Sequence, residues 1–348
     1  MGLYDAIRDL PFRIADVQQE VHSQPISPEF IRKTTIIRLR TVANIRPEGG
    51  DGLGEDVTYD PNEHEPHRLP QLDLLGEWTI DSFSRFLAEQ ELFPAGQPEH
   101  EAYRDYRRWA YESAALDVAL RQNDTNLGTL IGREAQPVRF VTSTRATDLD
   151  GWLALYPDLR FKLDPTPAWT DEVFATLSAR GNVDVVDLKG VYQGTNVDNP
   201  PNPDLYRRVA EAFPDAWIED PALTPETEEV LAPHRDRITW DAPIHSFADV
   251  EALPFKPRCL NSKPSRFGSL ERLLTFYDRC AEEGIALYGG GQFELGPGRG
   301  HIQLLASYFH ADSTNDVAPR GYNNGESTPG LETSPLDPNP LMFGFGRF

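Results

Sequence analysis

AWIEDPALTPETEEVLAPHRDRITWDAP, residues 216–243, decides the fold. A short strand-like run ends on an acid, Glu219. A crossover follows, and a second such run ends on another acid, Asp241, 22 residues later. The same unit recurs on both sides, with candidate strands VRFVTST (138–144), LRFKLD (159–164), VDVVDLKG (183–190), RCLNSKP (258–264), IALYGGGQFE (285–294) and TNDVAP (314–319). Helix-like stretches lie between most of them, among them TDEVFATLSAR (170–180), PDLYRRVAEAF (203–213), LERLLTFYDRCAEEG (270–284) and GHIQLLASYFHA (300–311). Eight strands with helical crossovers in about 185 residues suit a closed parallel (β/α) barrel of the TIM type. An open doubly wound sheet is the alternative, and eight strands weaken it. The crossovers after the first and fifth strands are short, so the barrel is compact or imperfect there.

Outside this region the pattern changes. Residues 34–42, TTIIRLRTV, alternate and are β-branched, which reads as a strand. GGDGLGEDVTYD (49–60) supplies a glycine turn and a second strand, and 61–76 read as a polar, proline-rich loop. Thr79-Ile80-Asp81 opens a helix, and a longer amphipathic helix covers about 101–122. The expected organisation is an α+β capping domain over 1–135, the barrel over 136–322 and a Gly/Pro/Asn-rich C-terminal arm over 323–348, which packs back on the cap through its aromatic end.

Of the 348 residues, 33 are basic and 55 acidic, a formal net charge of −22. Such a chain repels phosphate backbones, so no nucleic-acid partner is expected. Cys259 and Cys280 cannot build a disulfide framework and suit a reducing compartment. No run of 18 apolar residues spans a membrane, and the N-terminus lacks a secretory pattern, so a cytoplasmic protein is expected. The expected partners are a small-molecule substrate and further copies of the chain in a homo-oligomer. Only five of the 33 basic residues are lysine: Lys33, Lys162, Lys189, Lys256 and Lys263. Base composition or a salty cytoplasm explains the bias blandly. A lysine kept against it suggests chemistry that arginine cannot do, such as giving up a proton near neutral pH.

Three of the five lysines fall at strand ends. Lys162 ends the second strand, Asp187 and Lys189 the third, Glu219 the fourth, Asp241 the fifth, Lys263 the sixth and Glu294 the seventh. From Lys162 through Asp187, Glu219, Asp241 and Lys263 to Glu294 the intervals are 25, 32, 22, 22 and 31 residues, each one strand plus its crossover. Ionisable groups at one phase of each unit converge on the barrel mouth, where such folds hold their sites. Asp187, Glu219 and Asp241 would repel one another unless a cation sat between them, and an all-oxygen ligand set favours Mg²⁺. Lys162 and Lys263 would flank that ion from opposite sides. A lysine beside a bound cation, partly desolvated, has its pKa drawn down toward the working pH of a general base. Together these groups suit removal of a proton α to a carboxylate, whose enolate a divalent ion stabilises.

WIEDP (217–221), the aspartate after ITW (Asp241), NSKPSRFGS (261–269) and GGGQFELGPGRG (289–300) resemble successive barrel motifs of the enolase superfamily. The likeness is to its muconate cycloisomerase and o-succinylbenzoate synthase branch, within the mandelate racemase and muconate lactonizing enzyme group. GLGE (52–55) and the run from Glu112 to Asp117 resemble that superfamily's capping domain. The resemblance implies metal ligands at Asp187, Glu219 and Asp241 and acid/base lysines at Lys162 and Lys263. It implies an isomerase or lyase acting by racemisation, epimerisation, cycloisomerisation or dehydration, with substrate-selecting loops in the cap, within 10–30 and 44–75.

Arg160, Lys189, Asn261 and Glu294 are the expected substrate-binding residues, with Glu294 also orienting Lys263. The pattern departs from the family at three points. Arg160 stands where Lys-x-Lys usually begins, Lys189 where Asp-x-Asn usually ends, and Ala242 where an acid commonly follows Asp241. Lys189 reads equally as a substrate contact or an internal ion pair, and Arg160 with Lys189 suggests a substrate with a second anionic group. Asp184 competes with Asp187 as ligand, and strand alternation favours Asp187. Gly296, Gly298 and Gly300 read better as a tight turn than as a phosphate cradle, and His245 and EHEPH (63–67) as solvated loops. Two other readings remain: a divergent barrel that binds metal and ligand without turnover, and a Schiff-base aldolase, which the ring of carboxylates disfavours.

Overall fold

The computed structural model describes residues 2–27, 30–41, 50–192 and 197–347. The end of the expected strand at 42, the turn glycine at 49 and parts of the expected specificity loops, 28–29 and 44–49, lie outside the described residues.

The cap is built around a three-stranded antiparallel sheet. Strand β1 (Pro11–Ile14) is followed by β2 (Asp16–Ser27), β3 (Phe30–Arg40), β4 (Gly52–Asp56) and β5 (Gly76–Thr79). β3 pairs with β2 from Asp16↔Arg40 to Ser27↔Phe30 and with β4 from Thr35↔Asp56 to Leu39↔Gly52. β1 pairs separately with β5. β2 falls within 10–30, where the sequence predicts substrate-selecting loops. Its polar DVQQEVHS run lacks an apolar face, and pairing along β3 makes the strand.

Among the described residues three α-helices complete the cap, α1 (Ile80–Ala88), α2 (Ala102–Gln122) and α3 (Leu127–Ile131). Thr79 caps α1 by accepting the Ser82 N–H, as its place before an apolar run predicts. β4 lies directly on α2, and two glycines allow it. A Cβ on Gly54 would stand 1.8 Å from the Ala110 carbonyl oxygen, and one on Gly52 2.2 Å from that of Ala114.

The barrel follows. Its strands are β6 (Thr142–Thr144), β7 (Phe161–Leu163), β8 (Val183–Asp187), β9 (Trp217–Glu219), β10 (Ile238–Thr239), β11 (Cys259–Ser262) and β12 (Ala286–Gly289). The crossover helices are α4 (Asp150–Leu155), α5 (Asp171–Arg180), α6 (Pro203–Ala212), α7 (Pro225–Leu231), α8 (Phe247–Glu251), α9 (Pro264–Phe267), α10 (Leu270–Glu283) and α11 (Pro297–Phe309). Side chains of Thr170, Asn202, Thr224 and Ser269 cap α5, α6, α7 and α10. Gly181 and Gly284, both at φ 66°, stop α5 and α10.

β6 to β10 form one parallel sheet in sequence order, and β11 pairs in parallel with β12. The Asn261 N–H donates to the Trp240 carbonyl at 3.1 Å and joins the two sets. The eighth strand, expected over 314–319, shrinks to single bridges, Phe140↔Asn315 and Gly290↔Asp316, which close the ring between its first and seventh members. The short crossovers after the first and fifth strands are present as α4 and α8, of six and five residues.

Cap and arm hold the rim in place. Glu55 on β4 accepts backbone N–H groups from Leu295 (2.6 Å), Gly296 (3.0 Å) and Gly298 (2.9 Å) at the start of α11. Arg32 on β3, fully buried, donates to the carbonyls of Val57, Thr58, Gln292 and Phe293. The arm returns to α2, where the Phe345 N–H donates to Asp117 at 2.7 Å and its ring stacks on His301. No helix among the described residues is long and apolar enough to cross a membrane.

Candidate active site at the barrel mouth

The strand ends bring most of the expected groups together. Lys162 on β7 is 1% exposed. Its ammonium donates to Glu219 Oε1, stands 3.1 Å from Asp187 Oδ2 and 3.9 Å from Asp316 Oδ2. Burial alone would push this ammonium down, but Glu219, Asp187 and Asp316 outweigh it and hold it well above the ordinary lysine range. The depression expected from sequence is that of a lysine beside a bound cation; among the protein's own groups alone Lys162 is held high.

Asp187 ends β8 and Glu219 ends β9, both fully buried. Burial opposes the Asp187 charge, yet Lys189 and Lys162 hold it below the usual carboxylate range. Glu219 is driven up by burial and by Asp187, Asp241 and Asp220, although Lys162 opposes the shift. Its second oxygen accepts from the Tyr288 hydroxyl on β12.

Across the mouth, Lys263 follows β11 and lies 2.7 Å from Asp241 Oδ2. Room for it comes from Gly290, where a Cβ would stand 2.8 Å from Lys263 Cε and 2.7 Å from Asn261 Oδ1. Arg266 shares the same acid, 3.3 Å from each Asp241 oxygen through Nε and Nη2. Burial would raise Asp241, but Arg266 and Lys263 hold it low. The Tyr192 hydroxyl donates to Asp241 Oδ2 at 3.3 Å. Asn261 is 1% exposed, and neither amide atom has a hydrogen-bond partner, as expected of a group waiting for a ligand.

Two expected substrate contacts lie elsewhere. Arg160 does not join the mouth: its exposed guanidinium grips Asp184 on the outer face. Arg160 lies just before the three-residue β7, and Asp184, which holds it, is the residue that the β7–β8 pairing skips between Val183 and Val185. Asp184, the rival ligand, is accounted for by the same pair. Glu294 does not orient Lys263. Phe293 turns the chain at φ 61°, and Glu294 accepts the Gln292 N–H at 2.6 Å and pairs with Arg299 at 3.0 Å.

Lys189 takes the ion-pair alternative. Its ammonium donates to Asp187 Oδ2, its N–H to Asp187 Oδ1 at 3.1 Å, and its backbone is left-handed at φ 53°. That conformation costs a lysine roughly 1–2 kcal/mol and suits the usual asparagine better. Burial opposes its charge, but Asp187 and Asp164 raise its pKa.

Sequence reasoning missed Asp220, Arg266, Tyr288, Asp164 and Asp316. Asp220 and Arg266 sat inside quoted motifs, and the charge of each was the available signal.

The donor set fits a hard cation. Asp187, Glu219 and Asp220 offer oxygens within 4.8 Å of one another. Asp220 already spends both oxygens on the N–H groups of Asp241 (2.8 Å) and Ala242 (3.0 Å). Burial, Asp241 and Asp187 push its pKa up to about 7. Asp241 Oδ1 makes no hydrogen bond, which leaves it the freer third donor.

Comparison with known proteins agrees with this architecture. Residues 5–130 match the family model described as "Domain of unknown function (DUF8230) N-terminal domain", and 134–324 match its C-terminal counterpart. No curated protein matches the chain by sequence. Among solved structures, an enolase-superfamily member from Listeria innocua is 20% identical, covering 89% of this chain and 86% of its own, with a TM-score of 0.60. A dipeptide epimerase from Methylococcus capsulatus, complexed with Mg ion, is 20% identical over 90% and 92%, with a TM-score of 0.64. A muconate lactonizing enzyme is 16% identical over 93% and 91%, with a TM-score of 0.61. These likenesses show the fold: a (β/α) barrel with an N-terminal cap, as in those structures.

Proposed function

The chain belongs to the DUF8230 family, and we propose that it is a Mg²⁺-dependent enzyme that removes the α-proton of a carboxylate substrate to give an enolate. The observation that carries this reading is a pair of buried lysines four strands apart on an eight-membered ring, each against an acid of one carboxylate cluster. Asp187, Glu219 and Asp241 would hold the ion. When bound, it would supply electrostatic stabilisation of the enolate oxygens.

The chain's own residues do the rest. Asp187, Glu219 and Asp316 hold the Lys162 ammonium protonated. With those acids engaged by a cation, the Lys162 ammonium would lose the partners that hold its proton, release it to solvent and then serve as the neutral base. Lys263, on Asp241, faces the substrate from the other side and returns a proton to the carbanion carbon or assists a leaving group. The first outcome is racemisation, epimerisation or cycloisomerisation and the second dehydration. The Asn261 amide, buried and unpartnered, would hold a polar group of the substrate.

A second reading has its own observation. Lys189 lies on Asp187, a proposed ligand, and a barrel so neutralised could bind without turnover. Solvent-deuterium incorporation separates the two. A panel of N-acyl amino acids, dipeptides, acid sugars and succinylbenzoate precursors is incubated in D₂O with and without Mg²⁺. Mass gain in some acid that needs both Mg²⁺ and a lysine supports the enzyme. No gain across the panel, in protein that binds Mg²⁺, favours the binding protein.

A further inference from the structure

Lys189 has two carboxylates within reach. Its ammonium donates to Asp187 Oδ2 and stands 3.9 Å from Asp164 Oδ1. That Asp164 oxygen is buried and has no hydrogen-bond partner, while its twin accepts from Arg145 Nε at 3.3 Å. The Tyr192 ring lies 5.2 Å from the ammonium. At 18% side-chain exposure Lys189 is more open than Lys162 at 2% or Lys263 at 9%. The amine therefore sits at the rim of the mouth, one carboxylate satisfied and a second poised to take it. A four-carbon stem spans that gap by rotamer change alone.

We propose that Lys189 is a tethered counter-cation that exchanges between two acids: it rests on Asp187 when no divalent ion is bound and moves to Asp164 when Asp187 ligates one. The inference rests on the divalent-metal reading above and adds a device to it. In the resting state the lysine offsets charge that would otherwise be buried and uncompensated. On loading, the ion must displace an ammonium, so affinity falls below what the oxygen donors alone would give. Asp164 recovers part of that loss by receiving the displaced amine.

The test is calorimetric titration of Mg²⁺ into the full chain, wild type against Lys189→Met, Asp164→Asn and the double variant, with Asp187→Asn as the site control. Circular dichroism confirms that each is folded. Removing a unit charge that contests the same oxygen tightens Mg²⁺ binding by about tenfold or more in Lys189→Met. Asp164→Asn weakens binding by about threefold or more in the wild-type background, and by less than about twofold once Lys189 is gone. Binding seen only after removal of Lys189 overturns the exchange, because the lysine then blocks the ion instead of yielding to it. Unchanged or weaker binding in Lys189→Met overturns it. An equal effect of Asp164→Asn in both backgrounds overturns the handover, because Asp164 then acts on the ion by its own charge. No Mg²⁺ binding in either folded wild type or Lys189→Met defeats the metal reading itself, a result distinct from failure of the exchange. A Mg²⁺-dependent rise in unfolding temperature, larger in Lys189→Met, is the second readout.

Discussion

The two halves of the mouth carry opposite charge balances. On the Lys162 side two ammonium groups face four acids, Asp187, Glu219, Asp164 and Asp316. On the Lys263 side an ammonium and a guanidinium share Asp241. The acid-rich half attracts a cation, and the cation-rich half offers a lysine that has only one acid to leave. Two lysines that look equivalent along the sequence are thus unequal in their surroundings. The proposed ion would level them by drawing acids from Lys162.

The largest expected effect is on the lysines themselves. Lys162→Ala and Lys263→Ala should each slow deuterium exchange by roughly 10²–10⁴-fold. For an epimerase the losses should divide by enantiomer, each variant failing on one hand of the substrate. Equal loss on both hands in one variant and none in the other would reduce the mouth to a single base.

A second expectation contrasts the mouth, whose charges are mutual partners, with the buried histidines behind it. Burial pushes His310 down to about 4 and His301 down to about 3. Both are neutral in the folded chain and bind protons once it unfolds. Their contribution is complete above pH 6.5 and lost as pH falls toward those values. Each should cost about 1.4 kcal/mol per pH unit below 6.5, so about 3 kcal/mol by pH 4.5. Denaturant titrations at pH 6.5, 5.5 and 4.5 check this, and His310→Gln should flatten the slope.

Ligand assignment comes next. Asp241→Asn should weaken Mg²⁺ binding by about tenfold or more, whereas Asp220→Asn should change it by less than about threefold and instead lower stability. The Asp220 oxygens serve two backbone N–H groups, whereas Asp241 Oδ1 accepts no hydrogen bond and faces the Arg266 guanidinium at 3.3 Å. Calorimetry giving the reverse order would make Asp220 the third ligand.

Much of this site was legible in the sequence because its signal is periodic. Strand ends at barrel spacing placed Lys162, Asp187, Glu219, Asp241 and Lys263 at one rim, and the structure brings them together. What escaped depends on geometry finer than spacing. Arg160, just before the three-residue β7, is held by Asp184, and no composition or motif foretells it. The left-handed turn at Phe293 hands Glu294 to Arg299. In the fold, β2 was missed because both its faces are polar, and the eighth strand was overestimated because a single bridge at each side closes the ring.

The smallest expected effect tests that correction. Arg160→Ala should leave KM for monoanionic and dianionic substrates within about twofold, since an exposed pair with Asp184 contributes little. A selective rise in KM for dianions would return Arg160 to the substrate.

The most direct test is anomalous diffraction from crystals of the protein grown with Mn²⁺. A single strong peak is expected between the carboxylates of Asp187, Glu219 and Asp241, with the Lys189 amine turned to Asp164. A mouth without a peak, Lys162 still on Glu219 and Lys189 still on Asp187, would contradict it.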